Sequence, residues 1–526
     1  MRHRAFVRVL SPLAATGAIL LVGLSASAAG GPTVQPNGQV NTDKTATRTH
    51  DAPSLAVNPA NPNEVAMGEI DLQRGQCLTH VSSDAGHTWS AGASPQNSDY
   101  VNCGPQNGNL YNTGASTQLV YDRQGTLYYA FAAAKAGDGD SRSILLAKSS
   151  DNGHAYKTTV VYQATTSTDP TKADVNYQAS VAVDLDNPSR LYVGWAKTFN
   201  FDANKLDAGL VAASSDGGKT FGSPVDVGFP AQGVSLVVSK GNLIDVSRES
   251  TPFPPPAPPK LYAAKSTDHG KTFTNKVIDP GSKRSSSPVA AVDPTNGTIV
   301  MAWYDNHLAA PKTVQDNVLV KSSADGGSSW TDSVPVSLVT YTAGRNINQL
   351  YPALAFAPNG RLDVAWYDYR NDPFEVPADV GMSNLGKIAD VFQASSTNDG
   401  KTFGPAIRLS DHPIDRRIGT WNGQYFFVVA PAIASANTVF YAAWSDTRNG
   451  NTDTQAQDIF FTRADLAAAA STTSSGIDWR VVLLAAEVLL LGLGLGLIIA
   501  TLWMRRRRAP AEAPVETRTP AGTPSR

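Results

Sequence analysis

The sequence predicts an all-β protein, a β-propeller of four-stranded antiparallel blades, followed by one C-terminal transmembrane helix. The first observation is an octet, Ser/Thr-x-Asp-x-Gly-x-Thr-aromatic, which occurs six times with small departures, as in SSDGGKTF at 214–221. The second is that each octet follows short runs of β-branched, aromatic and small residues, which are typical of strands. The third is a long apolar run near the C-terminus. Octets spaced by 52 to 73 residues indicate a repeat architecture.

The composition limits the class of partner. The chain has 526 residues, a formal net charge of −2 and only 17% charged residues. A protein that binds a polyanion needs clustered basic charge, so we expect no nucleic-acid partner. The 43 glycines and 34 prolines show no short period, which favours a turn-rich β protein over a low-complexity chain.

The residues around each octet define the repeating unit. In the sixth unit, YPALAFAPNG, RLDVAWYDYR and DVFQASSTNDG have the pattern of three strands separated by tight turns, and GPAIRLSD after the octet has the pattern of a fourth. Four antiparallel strands in each repeat are typical of a propeller blade.

The number of blades depends on the two ends of the repeat region. A seventh unit, TVFYAAWSDTR followed by DIFFTRAD, has no octet and no fourth strand. Residues 33–48 could supply that strand, and a ring closed by both ends of the chain leaves no unpaired edge. We therefore favour seven blades, with six as the alternative.

The octet is expected to hold the turn between the third and fourth strands. Its aspartate can accept backbone N–H bonds as Asx turns do, its glycine tolerates a positive φ angle, and its aromatic ring packs back into the blade. The aspartate position is occupied by Asp84, Asp151, Asp216, Asp268, Asp325 and, as an amide, Asn398.

The octet resembles the Asp-box, or bacterial neuraminidase (BNR) repeat, and residues 31–466 resemble the propellers of the sialidase superfamily. The resemblance implies that the octets lie on the face away from the ligand, and it gives the six-bladed alternative. It also implies an arginine triad for a substrate carboxylate, a tyrosine nucleophile activated by a glutamate, and an aspartate acid/base. The family's Phe/Tyr-Arg-Ile-Pro motif is missing from TRTHDAPSLAVNP, near the start of the region.

Loops on the face opposite the octets carry acids, arginines and tyrosines, many of them at the ends of second strands with a Trp-x-Asp or Trp-x-Asp-x-Arg pattern. By loop position, the candidate catalytic residues are Arg345, Arg370, Arg448, Tyr351, Tyr367, Glu249 and Asp368. The candidate binding residues are Asp305, Asp446, Arg416 and Arg417. The alternative is that the Trp-x-Asp-x-Arg residues form ion pairs and strand-end caps, with the tryptophan in the core.

Both ends of the chain carry membrane signals. Residues 1–28 have the pattern of a signal peptide, with an uncleaved anchor as the alternative. After a linker at 467–480, residues 481–504 are apolar enough to cross a bilayer, and four arginines follow. The positive-inside rule then makes 505–526 a basic, disordered cytoplasmic tail. We expect a single-pass protein of the cell membrane with an extracytoplasmic propeller.

The two cysteines, Cys77 and Cys103, are expected to form a disulfide in an oxidising compartment, with two free thiols as the alternative. No cysteine or histidine cluster has the spacing of a zinc site, so we expect no metal site from the motifs. The run AGDGDSR at 136–142 leaves calcium open as a cofactor, with a flexible polar loop as the alternative.

Three functions are compatible with these features. The first is a membrane-tethered recognition module that binds a glycan or a cell-surface protein, and the missing family motif favours it. The second is an exo-glycosidase of sialidase type, favoured by the six octets. The third is an assembly factor for envelope proteins. The oligomeric state stays open.

Overall fold

The structure is a computed structural model. It describes residues 32–103, 117–138, 141–166, 173–198, 206–252, 255–282, 284–306, 315–339, 347–374, 386–419 and 430–466, together with 494, 497–503 and 505. The predicted signal peptide, the linker and all of the tail except residue 505 lie outside these residues. The chain divides into two compact units, Gly30–Ala467 and a second formed by Met1–Ala29 with Ala468–Arg526.

The described part of Gly30–Ala467 consists of short β-strands, which confirms the all-β prediction. Two strands precede the repeats, β1 (Thr33–Val34) and β2 (Gly38–Gln39). The first repeat contains β3 (His50–Val57), β4 (Val65–Asp71), β5 (Gln76–Ser82) and β6 (Ser90–Ala91). The second contains β7 (Tyr100–Asn102), β8 (Gln118–Tyr121), β9 (Leu127–Lys135), β10 (Ser143–Ser149) and β11 (Lys157–Tyr162). The third contains β12 (Val175–Val183), β13 (Leu191–Thr198), β14 (Ala208–Ser214) and β15 (Val225–Ser239).

The remaining repeats follow the same plan. The fourth shares β15 and continues with β16 (Asn242–Glu249), β17 (Leu261–Ser266) and β18 (Thr274–Asp279). The fifth contains β19 (Val289–Val292), β20 (Ile299–Asp305), β21 (Asn317–Ser323) and β22 (Val334–Pro335). The sixth contains β23 (Gln349–Phe356), β24 (Leu362–Asp368), β25 (Ile388–Ser396), β26 (Ile407–Arg408) and β27 (Ile414–Asp415). The last contains β28 (Ala432–Ser435), β29 (Val439–Asp446) and β30 (Asp458–Asp465).

The repeats are antiparallel meanders arranged around a centre. Across the described ranges they form six hydrogen-bonded sheets, because β15 is both the last strand of the third repeat and the first strand of the fourth. The innermost strands contact one another in the order β3, β8, β12, β15, β19, β23 and β28. Strand β28 in turn contacts β3, so the ring of inner strands is closed. Radially packed antiparallel sheets of this kind are propeller-like.

The two ends of the repeat region share one sheet. Strands β1 and β2 both pair antiparallel with β30, with Thr33 opposite Asp465 and Gly38 opposite Phe461. The N-terminal segment therefore supplies the outer strand that the last repeat lacks, as the sequence predicts. This pairing covers an edge of β30 that would otherwise expose its N–H and C=O groups.

Clusters of buried apolar residues fill the interfaces between neighbouring repeats. Trp89 of the first octet packs edge-on against Phe461 of the last repeat, with ring centroids 4.9 Å apart. The aromatic residues of the other octets lie in the corresponding clusters, each with the preceding repeat: Tyr156, Phe221, Phe273, Trp330 and Phe403. The aromatic side chain of each octet therefore packs at the interface with the preceding repeat. The sequence had suggested that it packs into its own repeat.

Hydrogen bonds of the aspartate fix the octet turn, as the first octet illustrates. The Ser82 hydroxyl donates to Asp84 at 2.7 Å and accepts the N–H of Gly86, whose φ of 81° is left-handed. Asp84 also accepts the Thr88 N–H at 2.9 Å and the Thr88 hydroxyl at 2.6 Å. Although desolvation opposes them, these bonds lower the pKa of Asp84 to about 2.

An amide makes the same turn in the sixth octet. Asn398 accepts the Thr402 N–H through Oδ1 at 3.0 Å, and its Nδ2 donates to the Thr402 hydroxyl at 2.9 Å. The turn therefore needs an acceptor at one oxygen position and a hydrogen-bonding group at the other, and it does not require a charge.

The last repeat has no octet, and a buried arginine links it to the sixth repeat. Arg361, at the turn before β24, is only 8% exposed. Its guanidinium binds Asp363 and donates to the carbonyls of Ala436 (2.9 Å) and Asn437 (2.7 Å), at the turn between β28 and β29. This contact joins the two repeats on the octet side of the ring.

Cys77 of β5 and Cys103, which follows β7, form a disulfide with Cα atoms 5.6 Å apart. It ties the third strand of the first repeat to the segment between β7 and β8 of the second.

In the second compact unit, residues 497–503 are helical. Within the part of the chain that the structure describes, no helix has both the length and the apolar character needed to cross a membrane. Apart from 494 and 497–503, the predicted span at 481–504 lies outside the described residues.

We expect Asp84→Ala to lower the free energy of unfolding by about 1–2 kcal/mol, because a carboxylate that accepts three hydrogen bonds is lost. Asp84→Asn should stay close to the wild type, since Asn398 already holds the same turn. Denaturant unfolding of the purified chain measures both. An asparagine variant as unstable as the alanine variant would contradict this description of the turn.

We expect Arg361→Met to destabilise the protein by roughly 3 kcal/mol, because the buried Asp363 carboxylate loses its cation. The control is Arg123→Met, which breaks an exposed ion pair with Asp186 and should cost about 0.5 kcal/mol or less. Equal midpoints for the two variants in denaturant unfolding would show that Arg361 does not join the repeats.

Candidate functional site

A cavity of about 1360 Å³ lies inside the ring of inner strands. Its middle is lined by small and branched apolar residues of those strands, among them Leu55, Val234, Ala290 and Leu354. Polar residues of the octet-side turns, such as Asn58, Arg123 and Asn437, line its other end. An apolar wall with a few polar groups is typical of a ligand site.

One end of the cavity, which we call the mouth, is lined by Asp51, Gln178, Gln232, Arg248, Arg284, Tyr304 and Tyr351. These residues lie towards the beginning of first strands or the end of second strands, whereas the octets follow third strands. In an antiparallel meander those positions are at opposite ends. The mouth therefore lies on the face away from the octets.

Bulges in the inner strands bring side chains into the mouth. Pairing with the second strand shifts at four places, between Asp51 and Ser54, Tyr177 and Ser180, Gln232 and Ser235, and Leu350 and Ala353. The bulges contain left-handed residues, including Gln178 (φ 54°) and Tyr351 (φ 55°). A bulge redirects the side chain that it carries, and both of these residues line the cavity. A left-handed tyrosine is strained, and such strain is concentrated at functional sites.

Arg248 forms no direct ion pair with a carboxylate of the described residues, although Asp207 and Glu249 act on its charge from farther away. One terminal nitrogen donates to Gln232 Oε1 at 2.5 Å, while its Nε is buried without a partner. Burial lowers the pKa of this guanidinium. The Oε1 atom of Gln178 is also buried without a partner. A buried polar atom without a hydrogen bond is costly, so this donor and this acceptor are suited to a polar ligand.

Arg284 differs from Arg248 because an acid balances its charge. Its Nε lies 2.8 Å from Asp316 Oδ1, and its Nη2 also binds that carboxylate. Asp316 is fully buried, and burial raises its pKa against the effect of Arg284. Arg248 is therefore the arginine of the mouth without a directly paired acid, while Asp51 adds a buried carboxylate that accepts a hydrogen bond from Ser445.

Tyr304 and Tyr351 form an aromatic corner of the mouth. Their ring centroids lie 5.2 Å apart with the planes at 74°, an edge-to-face contact. Burial raises the pKa of both phenols, so both are neutral near pH 7. In the described ranges, no carboxylate hydrogen-bonds either phenol. The corner thus offers aromatic surface and hydroxyl groups rather than an activated nucleophile.

The arginines predicted at strand ends bind their own loops. The Trp366 indole donates to Asp368 at 2.8 Å, and Arg370 Nε donates to the same carboxylate at 2.9 Å while its guanidinium carbon lies 4.3 Å from the centre of the Phe392 ring. Neither Asp368 nor Arg370 lines the cavity. This geometry agrees with the alternative in which the Trp-x-Asp-x-Arg residues form ion pairs and strand-end caps, with the tryptophan in the core.

The last repeat shows the same arrangement. The Trp444 indole donates to Asp446 at 2.9 Å, Arg448 Nη2 donates to Asp446 at 2.8 Å, and Arg448 Nη1 donates to Asp411 at 2.7 Å. An arginine two residues after the acid folds back on it, so Arg370 and Arg448 do not meet in one volume. The expected triad is not assembled by these two residues, and Arg345 lies outside the described residues.

Tyr351 is the candidate catalytic residue that does line the cavity. Tyr367 is fully buried and does not reach it. Glu249 does not line it either, and accepts the Lys260 N–H at 3.1 Å. The proposed pairing of Glu249 with a tyrosine nucleophile is therefore not formed.

The candidate binding residues also lie away from the cavity lining. Asp305 is buried and accepts a hydrogen bond from Ser285, which does line it. The Arg416 guanidinium lies 5.6 Å from the centre of the Tyr369 ring. Arg417 binds Asp415 through Nε at 2.8 Å and is half-exposed.

The sequence analysis named Tyr351 as a candidate, but it did not place Gln178, Gln232 and Arg284 in the site. Tyr351 precedes a proline at the start of a first strand, where a bulge is easily accommodated, whereas Gln178 is followed by an alanine and carries no such signal.

No family model and no curated protein matches the chain. A solved protein of unknown function from Dyadobacter fermentans is similar with a TM-score of 0.44 and 13% identity, over 83% of this chain and 99% of that one. A Hadza microbial sialidase is similar with a TM-score of 0.44 and 14% identity, over 78% and 75%. The Penicillium chrysogenum α-L-arabinanase complexed with arabinobiose has a TM-score of 0.40 and 17% identity, over 64% and 94%. At these levels the likeness does not assign a ligand to this chain.

We expect Arg370→Ala to destabilise the protein by roughly 3 kcal/mol, because Asp368 is buried and loses its cation. The control is Arg417→Ala, which breaks a half-exposed pair with Asp415 and should cost about 1 kcal/mol or less. Chemical unfolding of both variants is the measurement. If Arg370→Ala is as stable as the control, Arg370 is not a structural residue.

Proposed function

We propose that this chain is a seven-bladed Asp-box propeller, anchored in the cell membrane, that recognises a glycan or a surface protein with the mouth of its central cavity. The observation that carries the proposal is the pair of unsatisfied buried atoms, Arg248 Nε and Gln178 Oε1, at the mouth of the cavity. A ligand that presents both an acceptor and a donor would complete them.

The blade count is supported by the closed sequence of inner-strand contacts and by the pairing of β1 and β2 with β30. Counting β15 once as an outer strand and once as an inner strand gives seven first strands, from β3 to β28.

The mouth has the chemistry to bind a carboxylate-bearing sugar or an acidic side chain. Arg248 forms no direct ion pair with a described carboxylate, and a guanidinium pairs well with a carboxylate. Tyr304 and Tyr351 add aromatic surface and hydroxyl groups next to it. Recognition is favoured over hydrolysis because no described carboxylate is placed to activate either phenol.

The second candidate is an exo-glycosidase of sialidase type. It is favoured by Tyr351, a left-handed residue that lines the cavity as a nucleophile would. This function needs a base for Tyr351 and a carboxylate-binding arginine besides Arg248.

The location outside the membrane is supported by the patterns at 1–28 and 481–504. The disulfide between Cys77 and Cys103 favours an oxidising compartment, where such bonds persist.

The purified full-length chain in detergent would be applied to an array of neutral and carboxylate-bearing glycans and acidic peptides. We expect saturable binding of a carboxylate-bearing ligand, weakened by about 10- to 100-fold in Arg248→Ala, because a hydrogen bond to a charged group is worth about 1.5–3 kcal/mol. Arg190→Ala, on the octet side, is the control.

Turnover is measured in parallel with fluorogenic sialosides and arabinosides. Turnover that disappears in Tyr351→Phe, while the fold is retained, would replace the recognition module with the glycosidase. Binding that is unchanged in Arg248→Ala would remove the mouth as the ligand site.

A further inference from the structure

A cluster of histidines and carboxylates lies where the N-terminal segment enters the first repeat. Asp43 belongs to the segment between β2 and β3, His50 begins β3, Glu69 and Asp71 lie at the end of β4, and His80 lies on β5. His50, Glu69 and Asp71 are almost completely buried. We call these five residues the His50 cluster. None of them belongs to the mouth.

Glu69 fixes the orientation of two imidazole rings. One of its oxygens lies 2.9 Å from His50 Nδ1, and the other lies 2.5 Å from His80 Nε2. A carboxylate only accepts hydrogen bonds, so the nitrogens that face Glu69 carry protons. His50 consequently turns its second nitrogen, Nε2, away from Glu69.

That nitrogen faces other carboxylates. His50 Nε2 lies 2.9 Å from Asp43 Oδ1, and ligand atoms of Asp43, His50 and Asp71 all lie within 4.8 Å of one another. When His50 is neutral, its Nε2 lone pair and the Asp43 oxygen are both acceptors and repel each other. The arrangement therefore calls for a positive species at Nε2, which is either a proton or a metal cation.

The charges around the cluster leave room for a cation. Among the residues that the structure describes, one permanent cation, Arg74, pairs with the carboxylates of this cluster, which are Asp43, Glu69 and Asp71. Arg74 lies 2.8 Å from Asp71 and 3.6 Å from Asp43, and its side chain is 45% exposed, so it can move into solvent. Asn41 and Thr45 also donate to Asp43, at 3.0 Å each, and hold its carboxylate in place.

We propose that Asp43, His50 and Asp71 bind a divalent transition-metal cation of the Zn²⁺ type, with Glu69 as the buried carboxylate that orients His50. A metal-binding histidine commonly donates its other ring N–H to a carboxylate, which orients the ring toward the metal. One imidazole and two carboxylates suit Zn²⁺ better than Ca²⁺ or Mg²⁺, which prefer oxygen ligands. Arg74 occupies the same carboxylates when the metal is absent and leaves them when it binds.

The metal would join the segment that leaves β2 to the strand that begins the first repeat. Asp43 lies in the segment after β2, His50 lies on β3, and Asp71 lies on the neighbouring strand β4. Binding therefore stabilises the closure of the ring, and its readout is stability and bound metal rather than activity.

The test uses the tag-free full-length chain after removal of metal with a chelator. Zn²⁺ is added, free metal is removed by gel filtration, and bound zinc and the thermal unfolding midpoint are measured. We expect one Zn²⁺ per chain and a raised midpoint that the chelator reverses. Asp43→Asn should lose the bound zinc, and Glu69→Gln should weaken binding by roughly 10- to 100-fold. His87→Gln, which changes an exposed histidine of the first octet, is the control and should keep it.

The variant Arg74→Ala distinguishes a metal site from a network of salt bridges without metal. With a metal site, this variant binds Zn²⁺ more tightly because its competitor is gone. With a network of charges alone, the variant is less stable and zinc does not restore it. No retained zinc in either the wild type or Arg74→Ala, or retained zinc that Asp43→Asn does not remove, overturns the proposal. Asp43 is partly exposed, so its variant is expected to fold.

Discussion

The closure of the ring is the constraint on which the rest of the molecule depends. A β-sheet edge exposes unpaired backbone groups, and the last repeat would end in such an edge without β1 and β2. Gln35 and Asp465, 430 residues apart in the sequence, are hydrogen-bonded as a result. Because each sheet packs against two neighbours, one open interface would expose the apolar clusters on either side of it.

Closure also shapes the candidate site. The inner strands form a continuous wall, and their apolar middle separates the octet face from the mouth. The bulges at Gln178 and Tyr351, both near the beginning of a first strand, direct these polar side chains into the cavity. A regular strand would direct them elsewhere. The octet turns carry structural hydrogen bonds on the opposite face. On the side of the mouth, Arg370 and Arg448 bind Asp368 and Asp446 and hold the ends of the second strands.

Much of the fold could be predicted, because its determinants are local. Each octet carries the residues of its own turn, and short runs of β-branched, aromatic and small residues precede it. The strand within residues 33–48 could be predicted because the last repeat lacks a fourth strand, and this N-terminal segment is available to supply it. The site was harder to predict, because Arg370 and Arg448 lie two residues after an aspartate and bind it. The side-chain directions at Gln178 and Tyr351 depend on bulges, and the ligands of the His50 cluster come from three separate segments, so neither has a sequence motif.

Hydrogen exchange of the full-length chain, followed by mass spectrometry, tests ring closure most directly. If β1 and β2 complete the last sheet, peptides covering residues 33–40 exchange as slowly as peptides covering β29 and β30, because one opening event exposes all of them. If residues 33–40 exchange within seconds while β29 and β30 stay protected, the N-terminal segment is a fraying end, and the ring is not closed by it.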